Sequence, residues 1–188
     1  MNGVMIVNYD KNEDFHLDQV GIRLVKERTY YSDEPIDSPD KAVKLLANEL
    51  KDYDREVVAV INMSEQCIPL NINIVSVGSI NRSIIAPREM LKASILCNAA
   101  RVIMVHNHPS GIITPSKNDY TITDRMNRIY TLMGIELDDH IIVGHDDEYY
   151  SFHNHIYEYD FREDFDFARN SDEYQRNRSY VAESILTV

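Results

Sequence analysis

The sequence contains no tryptophan and only two cysteines among its 188 residues. Cys67 and Cys97 lie far apart and have no CxxC spacing, so we expect both to pack as small apolar side chains, neither bridged nor catalytic. No apolar run approaches the roughly 20 residues that cross a bilayer. The N-terminal residues lack the basic and apolar regions of a signal peptide, which predicts a cytoplasmic protein without a membrane segment.

Positive charge is also scarce. The chain has 19 Lys and Arg residues against 31 Asp and Glu residues, which gives a net charge of -12 at pH 7. A field of that sign repels phosphate backbones and therefore argues against nucleic-acid binding by the whole surface. The hydrophobic fraction of 44% is enough for a real core in a chain of single-domain length.

Strand and helix patterns alternate along most of the chain. Helices are predicted to begin at Pro39, at Pro87 and near Ser116, and the third to end at Gly134. Strands are predicted at 20–31, 56–63, 71–80, 101–108, 135–144 and 148–155. The alternation predicts an α/β or α+β fold, with a sheet covered by helices.

The chain divides into three predicted parts. Residues 1–50 form an N-terminal strand and helix extension, and residues 51–156 form the main domain. Residues 157–188 are charged and rich in tyrosine but have no sustained apolar stripe. We expect this C-terminal segment to be a peripheral tail, at best a loosely docked helix.

The densest chemical signal is the run from His106 to Gly111, His-Asn-His-Pro-Ser-Gly, followed by Ser116 and Asp119. His106 and His108 are two residues apart at the end of an apolar strand, so their side chains share one face. The Pro/Ser/Gly-rich turn can bring Asp119 back over the end of that strand. Two histidines and one aspartate leave a tetrahedral position open for water, as in catalytic zinc sites.

The same residues also have purely structural interpretations. Histidines at i and i+2 occur by chance in surface loops. Ser-x-x-Asp at a helix start resembles a capping box, in which Ser116 is an N-cap and Asp119 an anion near the helix dipole. The local pattern alone leaves both interpretations open.

The stretch from Glu56 to about Phe152 resembles the RadC-like branch of the JAB/JAMM (MPN) metalloprotease family. The likeness lies in SVGSINRSIIAPREMLKASI, NAARVIMVHNHPSG, TPSKND and DHIIVG, at 76–95, 98–111, 114–119 and 139–144. The resemblance implies a JAB/MPN-like, cytidine-deaminase-like mixed sheet flanked by helices. It also implies that zinc is bound by His106, His108 and Asp119, and that Ser116 helps to hold the oxyanion.

The family also uses an upstream glutamate to activate water, and the matching position is Glu56. Glu56 could instead be the polar start of a strand. A rival carboxylate is Glu89, although its place in the first turn of a helix suits a dipole-stabilising anion. His140 belongs to the family pattern and is either a residue that orients a ligand or a satisfied, partly buried histidine.

The remaining histidines carry less weight. His153 and His155 form a second H-x-H pair, but no Ser-x-x-Asp follows at motif spacing. His16 and His145 are expected to lie at the surface.

The predicted function is that of a zinc-dependent metallopeptidase or amide hydrolase acting on a protein or peptide substrate. The alternatives are an MPN-fold scaffold without turnover and a RadC-type DNA repair or recombination accessory. Full-length RadC proteins carry an N-terminal helical region for which residues 1–50 are too short, so the DNA-repair association transfers poorly. A homo-oligomer is compatible with the sequence.

Overall fold

The protein forms a mixed five-stranded sheet with helices on both faces. The computed structural model describes residues 19–50, 53–78, 86–145 and 148–154. The elements in chain order are α1 Pro39–Leu50, β1 Val57–Met63, β2 Pro69–Val77, α2 Pro87–Leu96, β3 Arg101–Asn107, α3 Lys117–Leu132, β4 Glu136–Val143 and β5 Tyr149–Ser151. The predicted α+β fold with a mixed sheet is confirmed.

The strand order is β2-β1-β3-β4-β5. Only β3 and β4 are parallel, and α3 connects them, because parallel neighbours need a crossover. In the antiparallel pair of β1 and β3, Val58 lies opposite His106. In the parallel pair, Met104 of β3 lies beside His140 of β4. This register places the beginning of β1 beside the ends of β3 and β4.

Two apolar clusters cover the two faces of the sheet. All seven residues of β1 are buried, and they alternate between the clusters because side chains in a strand have a period of two. On one face, α1 contributes Leu46 and Leu50, both fully buried, each of which stabilises the fold by roughly 1.5–3 kcal/mol. α1, predicted to lie in an N-terminal extension, therefore packs directly on the sheet.

The other face is covered by α2 and α3. Met90 of α2 and Met126 and Tyr130 of α3 pack here with Val60 and Met104 of the sheet. The side chains of His106 and His140 have the same strand parity as Met104, so they point toward this face and toward α3.

The helix boundaries follow the sequence signals. Pro87 is the first residue of α2, where its missing N–H leaves no bond unmade. Gly134 follows the end of α3 with φ +70°, the left-handed conformation of a C′ glycine. Cys67 and Cys97 are half-buried free thiols that pack against the two clusters, as predicted. None of the helices in the described ranges is long and apolar enough to span a membrane.

The strand predicted at 20–31 is wrong. Residues 19–31 form no regular secondary structure, and Val20, Ile22 and Val25 are largely exposed. Alternating β-branched residues favour a strand only where another strand offers a ladder and a surface to cover the apolar face, and this segment pairs with no strand of the sheet. The predicted C-terminal tail at 157–188, residues 79–85, His16 and His155 lie outside the described residues.

Candidate metal centre

The candidate site lies where β3 ends and α3 begins. His106 is the penultimate residue of β3, and His108 follows the strand directly. Asp119 is the third residue of α3. His106 and Asp119 are each only 1% exposed, whereas His108 is partly exposed. The short loop between strand and helix thus returns the aspartate to the two histidines.

The three side chains converge on one point. His106 Nε2 lies 3.1 Å from His108 Nε2. Asp119 places Oδ1 3.5 Å from His106 Nε2 and Oδ2 3.6 Å from His108 Nε2. One ligand atom from each residue lies within 4.8 Å of the other two. This buried group could bind a metal ion.

The hydrogen bonding of His108 shows which of its two ring nitrogens has a lone pair for a metal ion. Its Nδ1 lies 2.6 Å from the carbonyl oxygen of Ile112. A carbonyl only accepts, so the neutral ring carries its hydrogen on Nδ1 and presents a lone pair on Nε2. The Nε2 atom is the one that faces His106 and Asp119. A cation between these electron-rich nitrogen and oxygen atoms would offset their mutual repulsion, so the three side chains fit a metal ion.

The electrostatics of His106 and Asp119 favour the forms of these two residues that bind a metal ion. Burial and the neighbouring His140 hold the pKa of His106 well below its usual range. Burial opposes ionisation of Asp119, but its interactions with His108, His106 and Ser116 outweigh that effect and hold its pKa well below its usual range. The Asp119 carboxylate raises the pKa of His108 against the effect of burial. Neutral His106 and ionised Asp119 are the forms that bind metals, whereas the raised pKa of His108 favours a protonated ring, whose Nε2 proton a metal ion must displace.

Ser116 and Asp119 form a complete capping box at the start of α3. Asp119 N donates to Ser116 Oγ at 3.3 Å, and Ser116 N donates to Asp119 Oδ2 at 2.7 Å. The Ser116 hydroxyl also donates to Asp119 Oδ2 at 2.7 Å. The structural interpretation and the metal interpretation therefore coexist, since the bonds from Ser116 hold the carboxylate that faces the histidines.

Glu56 lies beside this group. It directly precedes β1, and extending the register two positions beyond the pair of Val58 and His106 brings it opposite His108. Its charge contributes to raising the pKa of His108. Glu89, the rival carboxylate, instead lies in the first turn of α2, where it bonds to Lys92 at 2.7 Å and lines a groove with β2.

Asn107 is a residue that sequence reasoning missed. Its Oδ1 accepts a hydrogen bond from Val57 N at 2.7 Å, and its Nδ2 donates to the carbonyl oxygen of Arg55 at 3.2 Å. These two bonds lie on either side of Glu56. The available signal was a polar residue between two histidines near a strand end, which must point to the opposite face of the sheet.

His140 contacts the group from β4. Its Nε2 lies 2.8 Å from His106 Nδ1, and its Nδ1 lies 2.6 Å from the hydroxyl of Thr123. Burial lowers the pKa of His140 to about 4. Thr123 was also missed. The sequence does indicate it indirectly, because Thr123 is four residues after Asp119 and the two side chains therefore lie on the same face of α3.

The other described histidines lie apart from the group. His145 is exposed and packs so closely on Gly111 that a Cβ there would lie 2.2 Å from its Cδ2. His153 is exposed, and its backbone N–H donates to Asp139.

The family model of the RadC-like JAB domain matches residues 36–157, which include every element from α1 to β5. This chain belongs to the RadC-like JAB domain family. The site elements, β3, α3 and the residue before β1, all lie inside the matched part.

Related members of the family are UPF0758 proteins of bacteria. The chain is 44% identical over 109 residues to one of Clostridium acetobutylicum, covering 58% of this chain and 48% of that protein. It is 41% identical over 113 residues to one of Clostridium beijerinckii, covering 60% and 49%. It is 40% identical over 116 residues to one of Desulfitobacterium hafniense, covering 62% and 51%. The chain spans about half the length of the curated relatives it matches.

Proposed function

We propose that this RadC-like JAB domain is a zinc-dependent metallopeptidase or amide hydrolase that cleaves a peptide or isopeptide bond. The observation that carries the proposal is the convergence of His106 Nε2, His108 Nε2 and the Asp119 carboxylate beside Glu56. The family supports it, because JAB-domain proteins include hydrolases. A protein or peptide partner and a cytoplasmic location belong to the same proposal.

Zinc is the proposed ion because two imidazole nitrogens and one carboxylate oxygen match the three-ligand sets of catalytic zinc sites. His106, His108 and Asp119 would hold it. A bound zinc ion supplies Lewis acidity, which acidifies water and polarises a substrate carbonyl. His108 is the most exposed of the three ligands, so we expect the substrate to approach from its side.

Glu56 is the proposed general base. From its place opposite His108, its carboxylate takes a proton from the attacking water and passes it to the leaving amine. The proton transfer needs a carboxylate that is close to the metal ligands but is not one of them. Two observations support Glu56 in this role: its charge contributes to raising the pKa of His108, and it is not part of the His-His-Asp group.

Ser116 is the proposed oxyanion donor. Its hydroxyl donates to Asp119 Oδ2, so it must turn from that carboxylate toward the substrate oxygen during the reaction. The backbone bond from Ser116 N to Asp119 Oδ2 can hold the carboxylate meanwhile.

The test is hydrolysis of a peptide and isopeptide library by the zinc-loaded protein. Glu56→Gln is compared with Glu65→Gln, an exposed glutamate in the turn between β1 and β2. We expect the parent and Glu65→Gln to cleave the same substrate, and Glu56→Gln to retain zinc without cleaving it. Full activity of Glu56→Gln would overturn the assignment of the base.

Two other results would redirect the functional assignment. No cleavage of any library member by the zinc-loaded parent would favour a scaffold role. Salt-dependent DNA binding, measured by gel shift at two ionic strengths, would favour a DNA-repair accessory.

A further inference from the structure

A chain of three hydrogen bonds leads from α3 to the candidate metal centre. The hydroxyl of Thr123 lies 2.6 Å from the carbonyl oxygen of Asp119 and 2.6 Å from His140 Nδ1. His140 Nε2 lies 2.8 Å from His106 Nδ1. The other nitrogen of His106, Nε2, is the atom that faces His108 and Asp119.

The direction of this chain follows from donor and acceptor chemistry. The Thr123 hydroxyl has one hydrogen, and a carbonyl oxygen can only accept, so Thr123 donates to Asp119 O. Thr123 Oγ1 must then accept from His140 Nδ1–H. A neutral imidazole carries one hydrogen, so His140 Nε2 accepts from His106 Nδ1–H. His106 Nε2 is left with a lone pair.

The opposite direction is unfavourable. If Thr123 donated to His140 Nδ1, its oxygen would lie 2.6 Å from Asp119 O with no hydrogen between them. His140 would then donate to His106 Nδ1, and His106 would carry its hydrogen on Nε2. That hydrogen would point at the other ligands and would block a metal.

The tautomer of His106 depends on this hydrogen-bond chain because the partner of its Nδ1 atom does not by itself fix the position of the hydrogen. The Nδ1 atom of His108 faces a carbonyl oxygen, which fixes its hydrogen directly. The Nδ1 atom of His106 faces another imidazole, which can donate or accept. Phe152 stacks on His140 at a centroid distance of 4.8 Å and an interplanar angle of 10°, which fixes the plane in which its two nitrogens reach Thr123 and His106.

We propose that Thr123 is a positioning residue whose hydroxyl, acting through His140, keeps the hydrogen of His106 on Nδ1 and so presents Nε2 to the metal. The consequence for zinc rests on the proposed function, whereas the tautomer is a property of the metal-free protein. Metal ligands of this kind depend on the partner of their second nitrogen, and losing such a partner typically costs about 10–100-fold in metal affinity.

The test compares Thr123→Val, which keeps the shape and removes the hydroxyl, with Thr123→Ser, which restores it. Thr131→Val is the matched control, because the Thr131 hydroxyl also bonds to the carbonyl four residues earlier in α3, at 2.8 Å, but on the exposed side. Long-range 1H–15N NMR of the metal-free protein reports which nitrogen of His106 and His140 carries the hydrogen. Zinc affinity is then measured by chelator competition.

We expect the Nδ1–H tautomer at both rings in the parent, in Thr123→Ser and in Thr131→Val. In Thr123→Val the His106 signals should move toward a mixture of tautomers, and zinc affinity should fall about 10–100-fold. An Nε2–H tautomer of His106 in the metal-free parent would overturn the proposal, even if Thr123→Val failed to fold. Parental tautomers and zinc affinity in a folded Thr123→Val would do the same. A parent with the expected tautomers but no hydrolysis would count against the proposed function alone.

Discussion

The side chain of Asn107 holds the backbone on both sides of Glu56. It accepts from the N–H of Val57 and donates to the carbonyl of Arg55, and it is almost fully buried. Asn107 also lies between the two histidines of the candidate metal centre. One three-residue segment therefore positions two proposed metal ligands and, through the backbone, the proposed base.

Asn107→Ala should impair the proposed base, Glu56, without impairing the metal ligands. We expect zinc to remain bound while kcat/KM on a library-derived substrate falls about 100-fold, because a misplacement of about 1 Å can cost that much. The free energy of unfolding should fall by about 1–3 kcal/mol, because a buried N–H loses its acceptor. The measurements are zinc content, steady-state kinetics and urea unfolding.

Asn62→Ala is the matched control for this prediction. Asn62 is a buried asparagine of β1 that bonds to Asn71 at 2.8 Å, away from the metal centre. It should lose stability and keep its turnover. Parental turnover in Asn107→Ala would contradict the positioning role.

Ser116→Ala should affect both stability and activity. Losing the N-cap of α3 should lower the free energy of unfolding by about 1 kcal/mol. Turnover should fall about 100-fold, in the range seen when one oxyanion donor is removed. Ser116→Thr keeps a hydroxyl and should retain most of the cap. If Ser116→Ala loses stability but turns over substrate at the parental rate, Ser116 is a helix cap and not an oxyanion donor.

Gly144→Ala should disturb His108 from a distance. A Cβ at Gly144 would lie 2.7 Å from both Gly111 O and Ile113 Cγ2, so the loop that carries the Ile112 carbonyl must move. Since that carbonyl orients His108, we expect zinc affinity to fall about 10-fold. Gly21→Ala is the control, since nothing lies within 4 Å of its Cβ position. Equal zinc affinities in the two variants would show that the loop does not depend on this contact.

Asp139 should make stability depend on pH. Its carboxyl accepts hydrogen bonds from His140 N, His153 N and the Ser151 hydroxyl, but burial outweighs them and raises its pKa. A raised carboxyl pKa means that the folded state favours the protonated form. The resulting stabilisation is present below the unfolded pKa of about 3.9 and is lost as pH rises through the folded value.

The side chain introduced by Asp139→Asn does not ionise, so this variant loses the contribution of position 139 to the pH dependence of stability. The unfolding free energy of the parent minus that of Asp139→Asn should therefore fall as pH rises from about 4 to 7. Urea unfolding of chelator-treated protein measures it without interference from metal. A difference that stays constant or grows with pH would contradict the prediction.

The parts of the site that are local in sequence could be predicted. His106 and His108 share a face because they are two residues apart in extended backbone at the end of a strand, and Ser116 and Asp119 cap a helix because they are three apart. The places of Pro87 and Gly134 at helix ends follow from their backbone chemistry.

The parts that depend on strand register could not be predicted from the residues alone. The contact of His106 with His140 requires that β3 and β4 lie side by side in parallel, and the bond from Thr123 requires α3 to pack on that pair. The wrong strand at 20–31 has the same origin, because its alternation indicates a strand but cannot show whether a partner strand exists.

The most direct test of the proposed metal centre is the metal content of protein purified without a chelator or a His-tag. Elemental analysis would compare the parent with His108→Ala and with His153→Ala, an exposed histidine outside the group. We expect about one zinc per chain in the parent and in His153→Ala, and none in His108→Ala. A parent that holds no zinc even after reconstitution, or a His108→Ala variant that holds as much as the parent, would rule out the proposed metal centre.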